Sequence, residues 1–299
     1  MHKIQSLDKI NLTLAKSGNF YLCLLLKLKM APKRKKIFRL LKITVLVYCS
    51  IGIALYYLQE KFLFHPVKLD ASHQFSFTQK FREINIPFNK EDTCNLVKFL
   101  PAGSTKRGVV LYYHGNRENV ERYAKFAEVF TEQGYEVWME DYPGFGKSSG
   151  KITENKLYDQ ALSIRKMAQH AFADDSIIVY GKSLGTAIAA YTASTFKPKA
   201  LVLETPYYSI PDLFGSYAFI YPAGKMSRFK LPTYKFLEDT QSPVTIFHGT
   251  DDGVVFLGCA EKLKTKLKAT DQFITINGGT HHNLAGFKEY KSALDSILK

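Results

Sequence analysis

A serine between two glycines, Gly181-Lys182-Ser183-Leu184-Gly185, is the short stretch of this sequence best suited to chemistry. Residues 177–180 before it are apolar and predict a buried strand, and the small residues from Thr186 onward predict a helix. A serine on so tight a turn has a strained backbone and presents its hydroxyl group above the helix N-terminus. The pattern indicates a nucleophile; a glycine turn that only packs a strand against a helix is the alternative.

An acid and a histidine follow Ser183 in the order that a serine nucleophile requires. Each candidate comes directly after a predicted strand: Asp251 and Asp252 after residues 243–249, and His281 and His282 after residues 272–278. Taken alone, an aspartate after a strand is most often a turn former. The order Ser, Asp, His at three strand ends indicates a catalytic triad, and the residues alone leave both neighbouring pairs open.

The elements that must position these residues alternate between strand and helix. Apolar runs predict strands at residues 81–88, 93–101, 108–115, 176–181, 200–204, 243–249 and 272–278, and a strand followed by a turn at residues 136–146. Helical spacing predicts helices at residues 118–135, 154–172 and 184–196, near 257–268, and from about Leu284. The first two strands should be antiparallel, and the alternation predicts a parallel, doubly wound α/β sheet for the rest. Catalytic groups on such a sheet gather at the carboxyl ends of its strands.

Two segments lie beside this predicted edge. Residues 206–242 break the alternation and are rich in Tyr, Pro and Phe, which predicts a short lid. Residues 141–151, DYPGFGKSSGK, predict a tight turn in one wall of the site. They lack the spacing of a phosphate-binding loop, so we exclude nucleotide binding. The adjacent histidines at 281 and 282 do not converge on one ion, so we predict neither a metal nor another cofactor.

The net charge of +14 is concentrated at the N-terminus. Residues 1–42 contain 11 Lys and Arg against one acid, and the remainder contains 30 basic and 26 acidic residues. The net charge is therefore +10 for residues 1–42 and +4 for the remainder of the chain. This distribution argues against a nucleic-acid-binding patch on the folded domain.

An apolar stretch follows the basic cluster. Residues 43–58 contain no charged side chain, and the stretch reaches 21 residues when it is counted from Phe38. About 20 helical residues cross the hydrocarbon core of a bilayer, so we predict one transmembrane anchor at residues 38–58. The positive charge before the span predicts a cytoplasmic N-terminus and a main domain on the other side. No small-residue cleavage site follows, which argues against a cleaved signal peptide.

These features divide the chain into a basic tail at residues 1–37, the anchor, a juxtamembrane connection at residues 59–80 and a main domain at residues 81–299. Met30 directly precedes the basic cluster, so residues 1–29 are interpreted as an over-extended start, and the choice between Met1 and Met30 stays open. The four cysteines have no C-x-x-C spacing, which argues against a zinc site. One long-range bridge, such as Cys94 to Cys259, stays open.

Six motifs together carry a resemblance to a known family: YYHGN, DYPGFGKSSGK, GKSLG, LETPYYS, HGTDDGVV and GGTHHN. Over residues 60–299 the chain resembles the α/β-hydrolase superfamily. Within it, the chain is similar to the small, single-pass membrane-anchored serine hydrolases with a minimal lid. The resemblance implies the α/β-hydrolase fold after one transmembrane helix. The family patterns H-G-x-x-D and G-G-x-H match Asp252 and His281 rather than their neighbours.

The resemblance also implies roles for individual residues. Ser183 is the expected nucleophile, His281 the base and Asp252 the acid that orients it. The expected oxyanion hole consists of the backbone N–H groups of Leu184 and Asn116. Two further histidines in turns at strand ends, His114 and His248, are interpreted as structural groups that brace loops.

The predicted function is a membrane-anchored serine hydrolase that cleaves carboxylic ester or thioester bonds through an acyl-enzyme. Its expected partners are the membrane and a small-molecule or lipid-like acyl ester, with no nucleic acid. Apolar lid side chains either accept an acyl chain or pack the lid on the core: Phe214, Tyr217, Phe219, Ile220 and Tyr221.

Two alternatives belong to other functional classes. A serine peptidase of the same fold needs carboxylates to bind a substrate amine, and the lid contains Asp212, Glu238 and Asp239. A non-catalytic, membrane-tethered binding domain would be favoured by a missing triad residue, and all three residue types are present.

Overall fold

The chain divides into two compact units, one ending at Leu55 and the other running from Tyr56 to Lys299. The structure, a computed structural model, describes residues 32–88, 92–101, 103 and 106–299. The predicted over-extended start, residues 1–29, lies outside the described residues.

A single long helix, α1 (Pro32–Leu63), begins the described chain. From Lys33 onward it is long and apolar enough to cross a membrane, and its apolar side chains are largely exposed. The helix continues five residues beyond the predicted end of the anchor at Leu58, so the predicted juxtamembrane connection begins as helix. The boundaries of the anchor stay a prediction.

An eight-stranded sheet forms the centre of the second unit. The strands of the chain are β1 (His65–Pro66), β2 (Phe81–Pro87), β3 (Thr93–Phe99), β4 (Gly108–Tyr113), β5 (Arg117–Glu118), β6 (Tyr135–Glu140), β7 (Ile177–Lys182), β8 (Ala200–Glu204), β9 (Val244–Gly249) and β10 (Gln272–Ile276). In the large sheet their order is β2-β3-β6-β4-β7-β8-β9-β10. The pair β2–β3 is antiparallel, as predicted, and so is the pair β3–β6, whereas all other pairs in this sheet are parallel. The strand order reverses at β4, so the ends of β4 and β7 lie side by side at a switch point where such sheets bind ligands.

Helices cover both faces of this sheet. They are α2 (Val120–Tyr123), α3 (Glu128–Thr131), α4 (Glu154–Gln169), α5 (Gly185–Ser194), α6 (Ile210–Tyr217), α7 (Ala223–Met226), α8 (Thr233–Asp239), α9 (Leu257–Glu261) and α10 (Lys288–Leu298). One buried cluster joins α4, α5 and the lid to the sheet, and a second joins α2, α3 and α10 to it. Four buried alanines on α5 let this helix pack closely beneath the candidate nucleophile.

Two predicted helices are not continuous in the structure: the one near residues 257–268 divides into α9 and a 3₁₀ turn at Lys262–Lys266, and the other is the one at residues 118–135. The structure has α2, a 3₁₀ turn at Ala124–Phe126 and then α3, and the segment ends at Gly134 with a φ of 87°. The buried residues of this segment that pack in the cluster beneath the sheet are Val120, Tyr123, Ala124, Ala127 and Phe130. The N–H of Ala127 donates to the carbonyl of Ala124 at 3.0 Å and that of Phe130 to the carbonyl of Ala127 at 3.1 Å, and these i→i+3 bonds tighten the helix to 3₁₀ geometry at this point.

The disulfide that the sequence left open is absent from the structure. Cys94 and Cys259 are both buried, and both are free thiols. The fold therefore depends on its core rather than on a cross-link between these residues.

Glu140, the last residue of β6, places a carboxyl group inside the core. Its Oε2 lies 3.7 Å from the Sγ of Cys94, and its Oε1 has no hydrogen-bond partner within the described residues. Burial raises the pKa of Glu140 to about 8; the contact from Cys94 opposes this shift, and the charge of Asp141 adds to it. Glu140 therefore holds a proton in the folded protein at pH values where the unfolded chain has released it.

We predict that Glu140 makes the domain less stable as the pH rises from about 4.5 to about 8. Its contribution to the free energy of unfolding is fully present below the unfolded pKa. The contribution then declines by up to about 1.4 kcal/mol per pH unit, because only the unfolded state ionises in this window. Urea unfolding in mild detergent should show Glu140→Gln gaining stability relative to the parent between about pH 5 and about pH 8.

The matched control for this experiment is Glu132→Gln, since Glu132 is exposed. Its difference from the parent should stay constant with pH. A constant difference for Glu140→Gln as well would contradict the prediction.

Candidate active site

Ser183 lies on the turn between β7 and α5 with a φ of 51°, a strained value for a residue other than glycine. Two backbone hydrogen bonds hold it there. Its N–H donates to the carbonyl of Glu204 at 2.9 Å, and its carbonyl accepts from the N–H of Thr186 at 3.0 Å. The turn leaves the Ser183 side chain partly exposed at the carboxyl edge of the sheet.

The two glycines around Ser183 are required because the surrounding backbone leaves no room for a side chain at either position. A Cβ atom on Gly181 would lie 2.6 Å from the carbonyl oxygen of Gly185. A Cβ atom on Gly185 would lie 2.1 Å from the carbonyl oxygen of Tyr113 at the end of β4. Because both neighbours are backbone atoms, neither contact can be relieved by a side-chain rotation.

Ser183, His281 and Asp252 are brought together in one line of hydrogen bonds. The Nε2 of His281 lies 2.9 Å from the Oγ of Ser183, and its Nδ1 lies 2.8 Å from the Oδ2 of Asp252. His281 and Asp252 are buried, whereas Asp251 and His282 are exposed. The structure therefore brings Asp252 and His281 to Ser183, and these are the members of the two neighbouring pairs that the family pattern selects.

Asp252 is held as a carboxylate. Its other oxygen accepts hydrogen bonds from the N–H groups of Val254 and Val255, each at 2.8 Å. Burial by itself raises the pKa of Asp252, but the hydrogen bond and charge of His281, with the two backbone donors, outweigh burial and hold this pKa below its ordinary value. The ionised carboxylate can therefore accept a hydrogen bond from the N–H group at Nδ1 of His281, which sets the tautomer of this histidine.

The turns that carry the acid and the histidine are joined through the backbone. The N–H of Asp251 donates to the carbonyl of Gly279 at 2.9 Å. The N–H of Gly278 donates to the Oγ1 of Thr250 at 2.8 Å. These two bonds, one between backbone groups and one to the Thr250 hydroxyl, hold the turn of Asp252 against the turn of His281.

Two further histidines brace loops, in agreement with their interpretation from the sequence. The Nε2 of His248 lies 2.8 Å from the carbonyl of Val255 and 3.5 Å from Asp252, and burial lowers the pKa of His248. The Nδ1 of His114 lies 2.7 Å from the carbonyl of Gly115. Within the described part of the chain, no group of three or more His, Cys, Asp or Glu is placed to hold a metal ion.

The two residues predicted to form the oxyanion hole lie on loops that touch. Leu184 is the N-cap residue of α5, where backbone N–H groups have no partner within the helix. Asn116 lies in the turn after β4, and this turn packs against the nucleophile turn: a Cβ atom on Gly185 would lie 2.7 Å from the carbonyl oxygen of His114. The side-chain amide of Asn116 donates to the carbonyl of Leu63 at 2.9 Å.

Residues 64–69, here called the strap, fasten two loops of the site. Strand β1 in the strap pairs in parallel with β5, directly after Asn116. The N–H of Leu69 donates to the carbonyl of Gly146 at 2.8 Å, and the carbonyl of Val67 accepts from the N–H of Gly146 at 3.0 Å. The strap thereby joins the turn after β4 to the wall formed by residues 141–146. The sequence contained no periodic signal for it.

A buried ion pair beneath Ser183 was missed by the sequence reasoning. Lys182 and Glu204 lie opposite each other in the pairing of β7 with β8, and their side chains are hydrogen-bonded. Glu204 also accepts from the hydroxyl of Tyr180, which lies 2.7 Å from that of Tyr290. The pair links the ends of β7 and β8 directly beside the turn that carries Ser183. The sequence did contain a signal for this ion pair, because Lys182 and Glu204 are the charged residues of two otherwise apolar strands.

The apolar lid residues divide into two groups. Phe214 packs against the core cluster, as the packing interpretation predicted. Tyr217 and Phe219, by contrast, are 56% and 84% exposed. The predicted set of acyl-binding side chains therefore does not line one pocket.

A family model described as serine aminopeptidase, S33, matches residues 104–236, slightly less than half of the chain. The matched region contains the nucleophile turn and most of the lid. The strand ends that carry Asp252 and His281 lie beyond it.

Three similar proteins are named alpha/beta hydrolase domain-containing proteins. Protein 17C of Xenopus tropicalis is 25% identical over 214 residues, which cover 69% of this chain and 66% of that protein. Protein 17B of Homo sapiens is 24% identical over 67% of this chain and 69% of its own length. Protein 17C of Homo sapiens is 24% identical over 67% of this chain and 60% of its own length. The chain thus spans about two thirds of the length of these relatives.

Two solved esterases share the fold. An esterase of Pyrococcus furiosus has a TM-score of 0.60 at 16% identity, with 79% of this chain and 97% of that chain covered. A cold-adapted esterase from an Arctic intertidal metagenomic library has a TM-score of 0.57 at 15% identity, with 78% and 98% covered. At these identities the likeness shows the fold.

The sheet order, the turn that carries Ser183 and these comparisons establish the α/β-hydrolase fold. The predicted fold is confirmed, and the chain is similar to members of the α/β-hydrolase superfamily. The comparisons support hydrolase activity in general, and the long apolar helix α1 is a candidate membrane anchor.

Proposed function

We propose that this chain is a membrane-anchored serine hydrolase that cleaves carboxylic ester or thioester bonds. The observation that carries the proposal is the 2.9 Å contact between the Oγ of Ser183 and the Nε2 of His281, whose Nδ1 lies 2.8 Å from Asp252. In this arrangement a neutral imidazole accepts the serine proton at one nitrogen while the other donates to the carboxylate.

In the first half of the reaction, the Oγ of Ser183 attacks the substrate carbonyl carbon and its proton passes to His281. The backbone N–H groups of Leu184 and Asn116 stabilise the negative charge on the carbonyl oxygen, and Asp252 stabilises the imidazolium. When the intermediate collapses, the bond to the leaving group breaks and the leaving group takes the proton from His281. The acyl group stays on the serine oxygen.

In the second half, His281 takes a proton from a water molecule, whose oxygen attacks the acyl carbon. The same two N–H groups again stabilise the oxyanion. The acid product leaves, and the proton returns to Ser183. The cycle needs no co-reactant besides water.

A serine peptidase is the second candidate, and the description of the matching family model favours it. Its amine-binding carboxylates would have to come from the lid. Asp212 and Glu238 are instead paired with Lys262 and Lys266 at the surface. The third lid carboxylate, Asp239, is exposed. With two of the three carboxylates paired to lysines, the lid favours the ester-cleaving candidate over the peptidase.

Turnover of matched substrates separates the candidates. The full chain in mild detergent should hydrolyse short-chain p-nitrophenyl esters and acyl thioesters much faster than aminoacyl p-nitroanilides. The reverse preference would favour the peptidase. Failure to cleave any of them in a folded sample would favour the non-catalytic binding domain.

We further propose that residues 38–58 span a membrane with the N-terminus in the cytoplasm. The support is the length and apolar character of α1 and the basic cluster that precedes the span. A reporter fused after Lys299 should be active only on the non-cytoplasmic side. A signal confined to the cytoplasm would contradict this orientation.

A further inference from the structure

The turn between α6 and α7 exposes large apolar side chains. We call residues 217–220 the lid tip. Tyr217 is 56% exposed, Phe219 84% and Ile220 57%. Single exposed apolar residues are common on soluble proteins, but a contiguous group marks a contact surface.

The lid tip is continuous with the turn that carries Asp252. The hydroxyl of Tyr217 donates to the carbonyl of Val254 at 2.6 Å, and its ring lies 5.1 Å from the ring of Phe256. Val254 and Phe256 are themselves 46% and 41% exposed. The exposed apolar surface therefore reaches from the lid to the edge of the candidate active site.

The lid is fastened to the last turns of α1. The side chain of Gln59, which is buried, accepts from the N–H of Arg228 at 2.6 Å and donates to the carbonyl of Met226 at 3.3 Å. The side chain of Arg228 is also paired with Glu60. These contacts hold the end of α7 against residues 59 and 60.

The position of Gln59 in the sequence shows where this attachment lies relative to the proposed span. Gln59 directly follows the proposed span at residues 38–58, and consecutive Cα atoms are about 3.8 Å apart. A segment bonded to Gln59 is therefore held where the chain leaves the bilayer. Phe62, one turn further along α1, is 55% exposed and adds to the apolar surface at this level.

Basic side chains surround the same region. Lys61 follows Gln59 on α1, and Lys225 and Lys230 lie on either side of the lid attachment; all three are exposed. The Nζ of Lys230 donates to the carbonyls of Gly224 and Ser227, so its charge is not neutralised by these bonds. Aromatic side chains beside lysines suit the interface of a bilayer that contains anionic lipids.

We propose that the lid tip is a second membrane contact, which inserts Phe219 and its neighbours into the interfacial layer of the leaflet where the anchor ends. The partner is a phospholipid bilayer with anionic headgroups. This inference rests on the anchor in the proposed function but not on its chemistry. Because the tip contacts the turn that carries Asp252, insertion places the candidate active site beside lipid acyl groups.

The test introduces a tryptophan at the tip of the full chain, reconstituted into vesicles of phosphatidylcholine and phosphatidylserine. The natural Trp138 is buried and serves as a constant background. Phe219→Trp is compared with Val129→Trp, because Val129 is also exposed but lies on α3, which packs on the other face of the sheet. Quenching is measured with phosphatidylcholine brominated in the upper part of its acyl chains.

The added emission of Phe219→Trp should shift to the blue and be lost in brominated vesicles, whereas that of Val129→Trp should remain. Equal emission from Phe219→Trp with and without bromine would overturn the proposal, including the case in which a protein surface covers the tip. Carbonate extraction distinguishes failure of the lid-tip proposal from failure of the proposed anchor. A chain that stays in the vesicles with an unquenched tip contradicts only this proposal, and a released chain contradicts the anchor as well.

Discussion

Replacing Ser183 with alanine is expected to lower kcat for a p-nitrophenyl ester by about 10⁴-fold or more. The variant lacks the oxygen that forms the acyl-enzyme, so only the oxyanion donors and substrate binding remain. KM is expected to change little, because the missing atom contributes mainly to the transition state. Steady-state kinetics of the full chain in detergent, with circular dichroism to verify folding, make the measurement.

Ser296→Ala is the matched control for this loss. Ser296 is exposed on α10 and donates to the carbonyl of Ser292 within that helix. This variant should keep the parent rate. A Ser183→Ala variant that also keeps the parent rate would rule out the proposed nucleophile.

Replacing Gly185 with alanine is expected to destabilise the domain by about 3 kcal/mol and to abolish ester turnover. The new methyl group would lie 2.1 Å from the carbonyl oxygen of Tyr113 and 2.7 Å from that of His114. To make room, the nucleophile turn and the turn after β4 must separate, and these turns carry the predicted oxyanion donors. Urea unfolding and ester kinetics measure the two effects.

Gly258→Ala tests whether the effect comes from crowding rather than from the loss of a glycine. Gly258 lies in α9, and a Cβ atom there would meet nothing within 4 Å. Alanine in a helix is about 0.5–1 kcal/mol more favourable than glycine, so this variant should be slightly more stable than the parent. Equal stability of Gly185→Ala and the parent would contradict the packing account of the nucleophile turn.

Much of the fold could be predicted because its parallel strands are buried on both faces. Strand β4, and residues 177–180 of β7, are uninterrupted runs of apolar residues, which predict a buried strand from the sequence alone. The candidate site could be predicted for a related reason: polar residues that directly follow such strands gather at one edge. The choice of Asp252 over Asp251, by contrast, could not be made from the residues alone and required the family pattern.

Other features could not be predicted because they depend on tertiary contacts. The strap contains a strand of only two residues, one of them Pro66, and carries no periodic pattern. Val120, Tyr123, Ala124 and Ala127 have the spacing of a continuous α-helix, so the break in the helix predicted at residues 118–135 has no signal in the sequence. The hydrogen bonds from Gln59 to the lid join residues more than 160 positions apart, so no local sequence pattern predicts them.

Mass spectrometry of the full chain after treatment with a fluorophosphonate tests the central claim most directly. Such a reagent forms a stable adduct with a serine oxygen only where a base removes its proton and donors stabilise the oxyanion. The account predicts one adduct per chain, on the peptide that contains Ser183, and none in Ser183→Ala. An unmodified parent that is folded, or an adduct on another residue while Ser183 stays free, would contradict it.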